Sequence, residues 1–235
     1  MIRVAIIGGS KEALELARCF DGKIEYCLFE NSYYGTPDGM KAQPYDKNTN
    51  WAETLKNFSH IVLAPHPFAF QRLLNILPIN IPQIALRRAG WALEPNWHMA
   101  IGEDDAAQIL TQINVKKPLL AVGRMRLKPF LTLGLDLQIR CRTEPLPDLG
   151  DAGNAILARG PFTVQQEIDY IVGENVDCIV AHNAGGQGGW PKLAAAKETG
   201  IPVILIDRPD IDWKSVATND EIFAWLGLDV SQNNP

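Results

Sequence analysis

Short apolar runs rich in β-branched residues alternate along this chain with segments whose apolar residues recur at helical spacing, the pattern of a parallel sheet covered by helices. In the first half, strands are expected at 2–7, 24–29, 60–64 and 83–86, with helices near 10–20, 50–57, 68–76 and 104–113. The second half repeats the scheme, with strands at 118–122, 136–141, 155–158, 177–181 and 202–206 and helices near 128–134, 163–173, 191–199 and 219–226. At 235 residues the chain exceeds the usual size of one compact domain. The expected fold class is therefore α/β, with two Rossmann-like lobes of parallel sheet flanked by helices, 1–114 and 115–235. They divide near Asn114, where a helix ends and Pro118 opens the next strand. A single larger sheet is also compatible with the length. No internal sequence repeat is visible, so the likeness of the halves is architectural.

Loops at the carboxyl ends of strands are where such sheets bind ligands. Two segments lack regular pattern, 31–50 and 143–153, and they are expected to flank an active-site cleft between the lobes. The formal charge of −5 argues against nonspecific binding of nucleic acid. Its distribution is uneven: from 112 to 143, Lys116, Lys117, Arg124, Arg126, Lys128, Arg140 and Arg142 face one acid, Asp136. That stretch is either a solvated face or a docking surface for a polyanionic small molecule. Cys19, Cys27, Cys141 and Cys178 are too dispersed to indicate a metal site or a redox pair. No apolar run reaches the roughly 18 residues of a spanning helix, and the first residues read as a strand rather than a signal peptide, so a cytoplasmic location without membrane partners is expected.

Several strand ends carry residues suited to chemistry. Gly8-Gly9-Ser10 lies between a strand and a helix, where glycines admit a phosphate to the backbone and the helix N-terminus offers N–H donors. It is shorter than the full dinucleotide fingerprint, so turn geometry explains it equally well. Glu30, about twenty residues on, stands where an acid hydrogen-bonds a ribose hydroxyl in NAD sites, or is an exposed loop acid. Pro65-His66-Pro67 fixes His66 at a strand's carboxyl end, where it can donate a proton or hydrogen-bond. Arg87-Arg88 with Trp91 suits an anionic, conjugated ligand. The Arg159-Gly160-Pro161-Phe162 turn precedes a Thr163-capped helix containing Glu167. His182-Asn183 enters a loop with Gly185, Gly186, Gly188 and Gly189, after which Pro191 opens a helix bearing Lys192, a plausible anion cradle or merely a flexible loop. Arg208-Pro209 closes the last strand on the same side.

Taken together these segments resemble the precorrin-6A reductase family, which includes the cobalt-precorrin-6A enzymes of cobalamin biosynthesis. The resemblance is carried by Gly8-Gly9 with Glu12-Ala13, His66-Pro67-Phe68-Ala69, Leu86-Arg87 with Trp91, Arg159-Gly160-Pro161-Phe162 with Glu167, Asn183 with Gly185-Gly186, Lys192 to Ala196, and Arg208-Pro209. It spans nearly the whole chain. It implies an oxidoreductase that takes hydride from NADPH or NADH and reduces one double bond of a methylated corrin precursor. Gly8, Gly9, Ser10, Glu30, Gly185, Gly186 and Lys192 would then serve the cofactor. Arg87, Arg88, Arg124, Arg126, Arg159 and Arg208 would hold the substrate's acetate and propionate groups, and His66, His182 or Asp151 would supply the proton. Departures from the family pattern occur at Leu63-Ala64-Pro65, where an Asp-Ala-Thr is usual, and at His182-Asn183-Ala184-Gly185, where Lys-Asn-Ser-Gly is usual. Glu30-Asn31 replaces an Arg suited to a 2′-phosphate, which points toward NADH or an altered substrate. Two other readings use the same loops: a non-catalytic nucleotide- or tetrapyrrole-binding protein, and a Rossmann-type enzyme acting on a phosphorylated metabolite.

Overall fold

Strand pairing in the computed structural model, which describes residues 1–30, 39–46, 48–70, 73, 76–78, 80–141, 144–158 and 160–228, forms two separate six-stranded sheets. Every paired strand in both is parallel. In chain order the elements of the first half are β1 (Arg3–Ile7), α1 (Lys11–Phe20), β2 (Glu25–Glu30), β3 (Ala42–Pro44), α2 (Trp51–Leu55), β4 (His60–Leu63) and β5 (Gln83–Leu86). There follow β6 (Trp97–Ala100), α3 (Glu103–Gln112), β7 (Pro118–Ala121), β8 (Leu137–Cys141), β9 (Gly153–Leu157), α4 (Val164–Gly173) and β10 (Cys178–His182). The chain ends through α5 (Trp190–Thr199), β11 (Val203–Ile206), β12 (Ser215–Val216) and α6 (Asn219–Trp225).

The first sheet runs β12-β5-β4-β1-β2-β3 and the second β6-β11-β10-β7-β8-β9. Each direction of winding starts from a central strand, β1 or β7, so each sheet has one place where neighbouring strands lead off to opposite sides, β1 beside β4 and β7 beside β10. Val4, Ala5, Ile6 and Ile7 are all fully buried, as a central parallel strand with helices on both faces requires. Alternation divides them: Val4 and Ile6 pack with Leu16 and Phe20 of α1 and Phe223 of α6. Ala5 and Ile7 pack with Trp51 and Leu55 of α2 and with Phe70 on the other face. In the second sheet Val203 and Leu205 join Ile171 of α4 and Leu193 of α5, while α3 packs against β6 and β11.

The helices begin where side chains satisfy their first N–H groups. Ser10 Oγ accepts from Ala13 N at 3.1 Å, and Thr163 and Thr218 form reciprocal capping boxes with Gln166 and Glu221. Inside the second unit, Arg140 of β8 pairs with the buried Glu167 of α4 at 2.6 Å, with its guanidinium 3.8 Å from the Tyr170 ring centre and 5.0 Å from that of Phe162. This cation held between two rings ties the turn at Phe162 to the sheet.

The units differ in extent from the division expected at 114 and 115. One comprises Met1–Ala89 with Pro209–Pro235, and the other Gly90–Arg208. Two strands invisible to the sequence pattern account for this. Trp97-His98-Met99-Ala100 lacks a β-branched run, yet it pairs with β11 in register Val203↔Trp97 and carries α3 into the second unit. The two-residue β12 pairs with β5 through Ser215↔Ala85 and carries the C-terminal segment into the first. The helix expected at 128–134 is a series of turns after a 3-10 turn at Arg124–Arg126. Of that expected at 68–76, residues 71, 72, 74 and 75 lie outside the described residues and the others form turns and 3-10 geometry. No helix among the described residues is long and apolar enough to cross a membrane.

Two substitutions test this packing. A Cβ added at Gly153, whose φ is +146°, would lie 2.0 Å from Leu137 O, so Gly153→Ala should lower the unfolding free energy by about 3 kcal/mol in denaturant titrations. Glu167→Ala should cost about 3 kcal/mol by stranding a buried guanidinium, and the double variant Arg140→Met/Glu167→Leu should recover most of that loss.

Candidate functional site

In the first unit the turns after β1 and β4 meet at the point where the sheet changes winding direction, the position at which open α/β sheets bind ligands. Gly8, φ +139°, is pressed against the β4 turn: a Cβ there would lie 2.3 Å from Ala64 O. Its N–H donates to Phe29 O at 2.9 Å, which fixes the turn against β2. Ser10 then caps α1. Glu30, the last residue of β2, is 5% exposed. It continues the row of Tyr26 and Leu28, which pack on α1, so it lies on the α1 face at the helix's N-terminal end. Gly8, Gly9, Ser10 and Glu30 are thus gathered at one strand edge.

The arginines expected to hold substrate in this unit are engaged otherwise. Arg88 forms an ion pair with Glu12 in the first turn of α1, so a half-buried cation offsets the acid that the helix itself carries there. Arg87 donates from Nη2 to Pro209 O at 2.8 Å, and its backbone N–H to Val216 O at 2.8 Å, which secures the returning segment beside β5. His66 is exposed after β4, and its Nδ1 accepts from Phe68 N at 3.4 Å.

In the second unit the corresponding edge lies beyond β7 and β10. His182, the last residue of β10, donates from Nε2 to Glu103 Oε1 at 2.9 Å, and Arg126 Nη1 donates to the same oxygen at 2.7 Å. Glu103 opens α3, directly after β6 has delivered the chain to the carboxyl edge. Three elements therefore converge on one carboxylate oxygen. Burial pushes the Glu103 carboxyl up, but the hydrogen bonds from His182 and Arg126 outweigh it and hold the group below its ordinary range. Burial pushes the His182 imidazole down, and the Glu103 carboxylate only partly restores it.

Sequence reasoning missed Glu103. It stands in a run, Glu103-Asp104-Asp105, that reads as ordinary first-turn acids favoured by the helix dipole. Only the position of β6 distinguishes them: Asp105 turns back to accept from Ile101 N at 2.9 Å, while Glu103 reaches His182.

The glycine loop after His182 is shaped by Trp91. The buried Asn183 accepts from Trp91 N at 2.7 Å and donates to Trp91 O at 3.3 Å, while the indole N–H donates to Gly186 O at 3.1 Å. A Cβ at Gly189 would lie 2.6 Å from the indole ring. Lys192 donates to Gly189 O at 3.0 Å, and Pro191 at the start of α5 has no N–H to offer. Trp91 thus packs against Gly186 and Gly189 of this loop, and it belongs to the second unit whereas Arg87 and Arg88 belong to the first. Arg208 lies near Gly90 and Asn183, since a Cβ at Gly90 would be 2.9 Å from its Nη2. Arg124 donates to Pro145 O at 3.0 Å.

Asp151 requires correction. It precedes β9, whose first residue Gly153 pairs with Leu137, the first residue of β8, so it stands at the amino-terminal edge of the sheet. There it lines an open concavity of about 560 Å³ with Leu131, Thr132 and Asp136. His182 stands at the opposite, carboxyl edge. Asp151 precedes the strand whether that begins at 153 or at the expected 155, so it leads into β9 at the amino edge, away from the carboxyl end at which a proton donor was expected. Arg159 lies outside the described residues, as does Arg142 of the basic stretch.

Both members of the Glu103–His182 pair titrate below their unfolded values, so the unfolded chain binds protons first as the pH falls. Stability present at neutral pH should therefore decline below about pH 6.5 through His182, and further below about 4.3 through Glu103. Thermal melts across this range should show both losses, and His182→Gln should shrink the upper one to the share of His60, whose imidazole burial also pushes down, and shrink the lower one too, because Glu103 loses a hydrogen bond that holds its carboxyl down.

The geometry can now be set beside known proteins. The sequence model of the family described as precorrin-6x reductase CbiJ/CobK matches residues 3–227. Precorrin-6A reductase of Rhodobacter capsulatus is 30% identical over 247 residues, covering 96% of each chain. That of Rhodococcus erythropolis is 30% identical, covering 97% of this chain and 98% of its own. The cobalt-precorrin-6A reductase of Priestia megaterium is 29% identical over 68% of this chain and 69% of its own. A solved structure of CobK precorrin-6A reductase superposes with a TM-score of 0.79 at 28% identity, covering 97% of both chains. With two parallel sheets wound as in that enzyme and a match running almost end to end, this chain belongs to the precorrin-6x reductase CbiJ/CobK family.

Proposed function

We propose that this protein reduces one double bond of a methylated corrin precursor, precorrin-6A or its cobalt form, with a nicotinamide nucleotide as the reductant. The observation that carries this reading is the end-to-end correspondence with the precorrin-6A reductases. The two carboxyl-edge sites described above support it.

The residues of the first unit fit a nucleotide. Gly8 brings the β1 backbone within van der Waals distance of the β4 turn and leaves no side chain over the α1 N-terminus. Ser10 occupies the N–H of Ala13, which leaves the first N–H groups of α1, those of Lys11 and Glu12, to a phosphate group with the helix dipole behind them. Glu30 lies where a carboxylate accepts from a ribose hydroxyl. The nicotinamide supplies the hydride when bound. This chain's own residues then have three tasks: to hold the substrate's carboxylates, to exclude water and to deliver a proton. Arg124, Arg126, Lys128 and Arg208 are the cations of the second unit suited to the first, with Gly185, Gly186 and Lys192 forming the loop beside them. His182 at the β10 end is suited to the last, and His66 is the other histidine at such an edge.

The first test is parallel titration of the protein with NADH and NADPH, followed by cofactor fluorescence. Saturable binding is expected, and the carboxylate of Glu30 should disfavour a 2′-phosphate, so that NADH binds about tenfold more tightly. Glu30→Gln should narrow that ratio. Binding of neither nucleotide by folded protein, alone or with a corrin precursor present, would overturn the reductase reading in favour of a carrier.

A further inference from the structure

We propose that Glu103 is a positioning residue that holds His182 as the proton donor, and that Arg126 is a lock on this pair which the anionic substrate opens. The inference rests on the reductase reading above. It starts from an asymmetry in how one carboxylate is shared. Glu103 Oε1 accepts from both His182 and Arg126, and the side chains differ in access: His182 is 12% exposed, Glu103 17% and Arg126 40%. The imidazole and carboxylate are held by β10 and the start of α3. Arg126 comes from a three-residue 3-10 turn beyond β7 and is the member that solvent and solutes reach.

The charges acting on His182 include Glu103, from α3, which favours its protonation, and Arg126, from that turn, which opposes it. While Arg126 is bound to Glu103 it neutralises the carboxylate, and a partly buried imidazole beside a neutral pair stays uncharged. A guanidinium prefers a carboxylate that it can grip with two N–H groups, and a substrate bearing acetate and propionate chains offers several. Transfer of Arg126 to the substrate leaves the full charge of Glu103 facing His182, and the imidazole takes up a proton. The site thus becomes acidic when an anion has docked. In the reduction one carbon of the double bond gains the hydride of the nicotinamide and its neighbour gains the imidazolium proton. Neutral imidazole and oxidised nicotinamide remain, and two hydrogens have been added across the bond.

The family pattern has Lys at the position of His182. A lysine ammonium is a permanent cation at neutral pH unless strongly desolvated, whereas imidazole changes charge there. A charge at this position that depends on its neighbours near neutral pH is therefore a property of the imidazole this chain carries.

The test is ring-proton NMR of the whole protein, with His182 assigned from His182→Gln. Arg126→Gln should raise the His182 titration midpoint by about one pH unit, a tenfold change in proton affinity, and Glu103→Gln should lower it. Glu103→Asp should restore part of the shift. Uroporphyrin, a fully carboxylated tetrapyrrole, should raise the midpoint in the wild type and leave that of Arg126→Gln unchanged. In turnover, the alkaline limb of kcat should follow the midpoint in each variant. A midpoint indifferent to Arg126→Gln, or moved in the same direction by Arg126→Gln and Glu103→Gln, would overturn this inference while leaving cofactor oxidation, and so the reductase reading, intact. Failure of the wild type to oxidise either nucleotide with a corrin precursor would remove the reductase reading, and the role of proton donor with it.

Discussion

Parallel pairing is the constraint from which the rest of this molecule follows. A parallel strand can be reached only by a crossover from the far end of its neighbour, so every strand in a sheet exits at the same edge. In each unit the candidate residues are those that the chain presents at or soon after such an exit: Gly8, Glu30, His66 and Arg88 in one, Glu103, Arg126, His182 and Arg208 in the other. None of these residues is adjacent to another in sequence. What gathers them is that strands of four to six residues, buried on both faces, all run the same way.

That constraint also explains which parts were legible in the sequence. Continuous apolar runs such as Val4 to Ile7 and Ile179 to Ala181 mark central strands, and the caps Ser10, Thr163 and Thr218 mark helix starts. These signals are local and the structure retains them. Three of the four edge strands carry no such signal, whereas the fourth, β9, was expected at 155–158. β3, β6 and β12 are short, and β6 exposes Met99 as it pairs with a single neighbour, so no apolar run identifies it. The unit boundary was misplaced for that reason. Membership of a strand in one sheet or the other is a matter of long-range register, as in Val203↔Trp97, and register is not written within the strand itself.

The site was legible in the same uneven way. Residues placed directly after recognisable strands, Gly8, Glu30, His66 and His182, were found at carboxyl edges because the strand before each was correctly read. Asp151 was not, because it precedes its strand. Glu103 was missed because its strand, β6, was. Side-chain pairing was invisible throughout. Arg88 finds Glu12 and Arg87 finds Pro209 O, both across intervals that no spacing rule connects, and Trp91 turns from an expected ligand-stacking ring into the packing post of a glycine loop.

The departures from the family pattern have different physical weights in this light. Leu63 stands where a carboxylate is usual, yet it is fully buried in the cluster with Ile7, Phe29, Leu55 and Phe70. An ionised side chain there would need a buried partner, so leucine removes a desolvation cost and strengthens the face of the sheet. Pro65 follows the Ala64 carbonyl that lies closest to Gly8 and lacks an N–H that the tight turn would have to satisfy. These two changes act on the scaffold. His182 differs in kind: it puts a group that changes charge near neutral pH at the end of β10, where Glu103 Oε1 accepts from both its Nε2 and Arg126, and on the inference above its charge depends on what else the arginine can bind. A fold shared over nearly the whole chain thus leaves a strand-end residue open to change the chemistry available at that edge, while the sheet decides which side chains it meets.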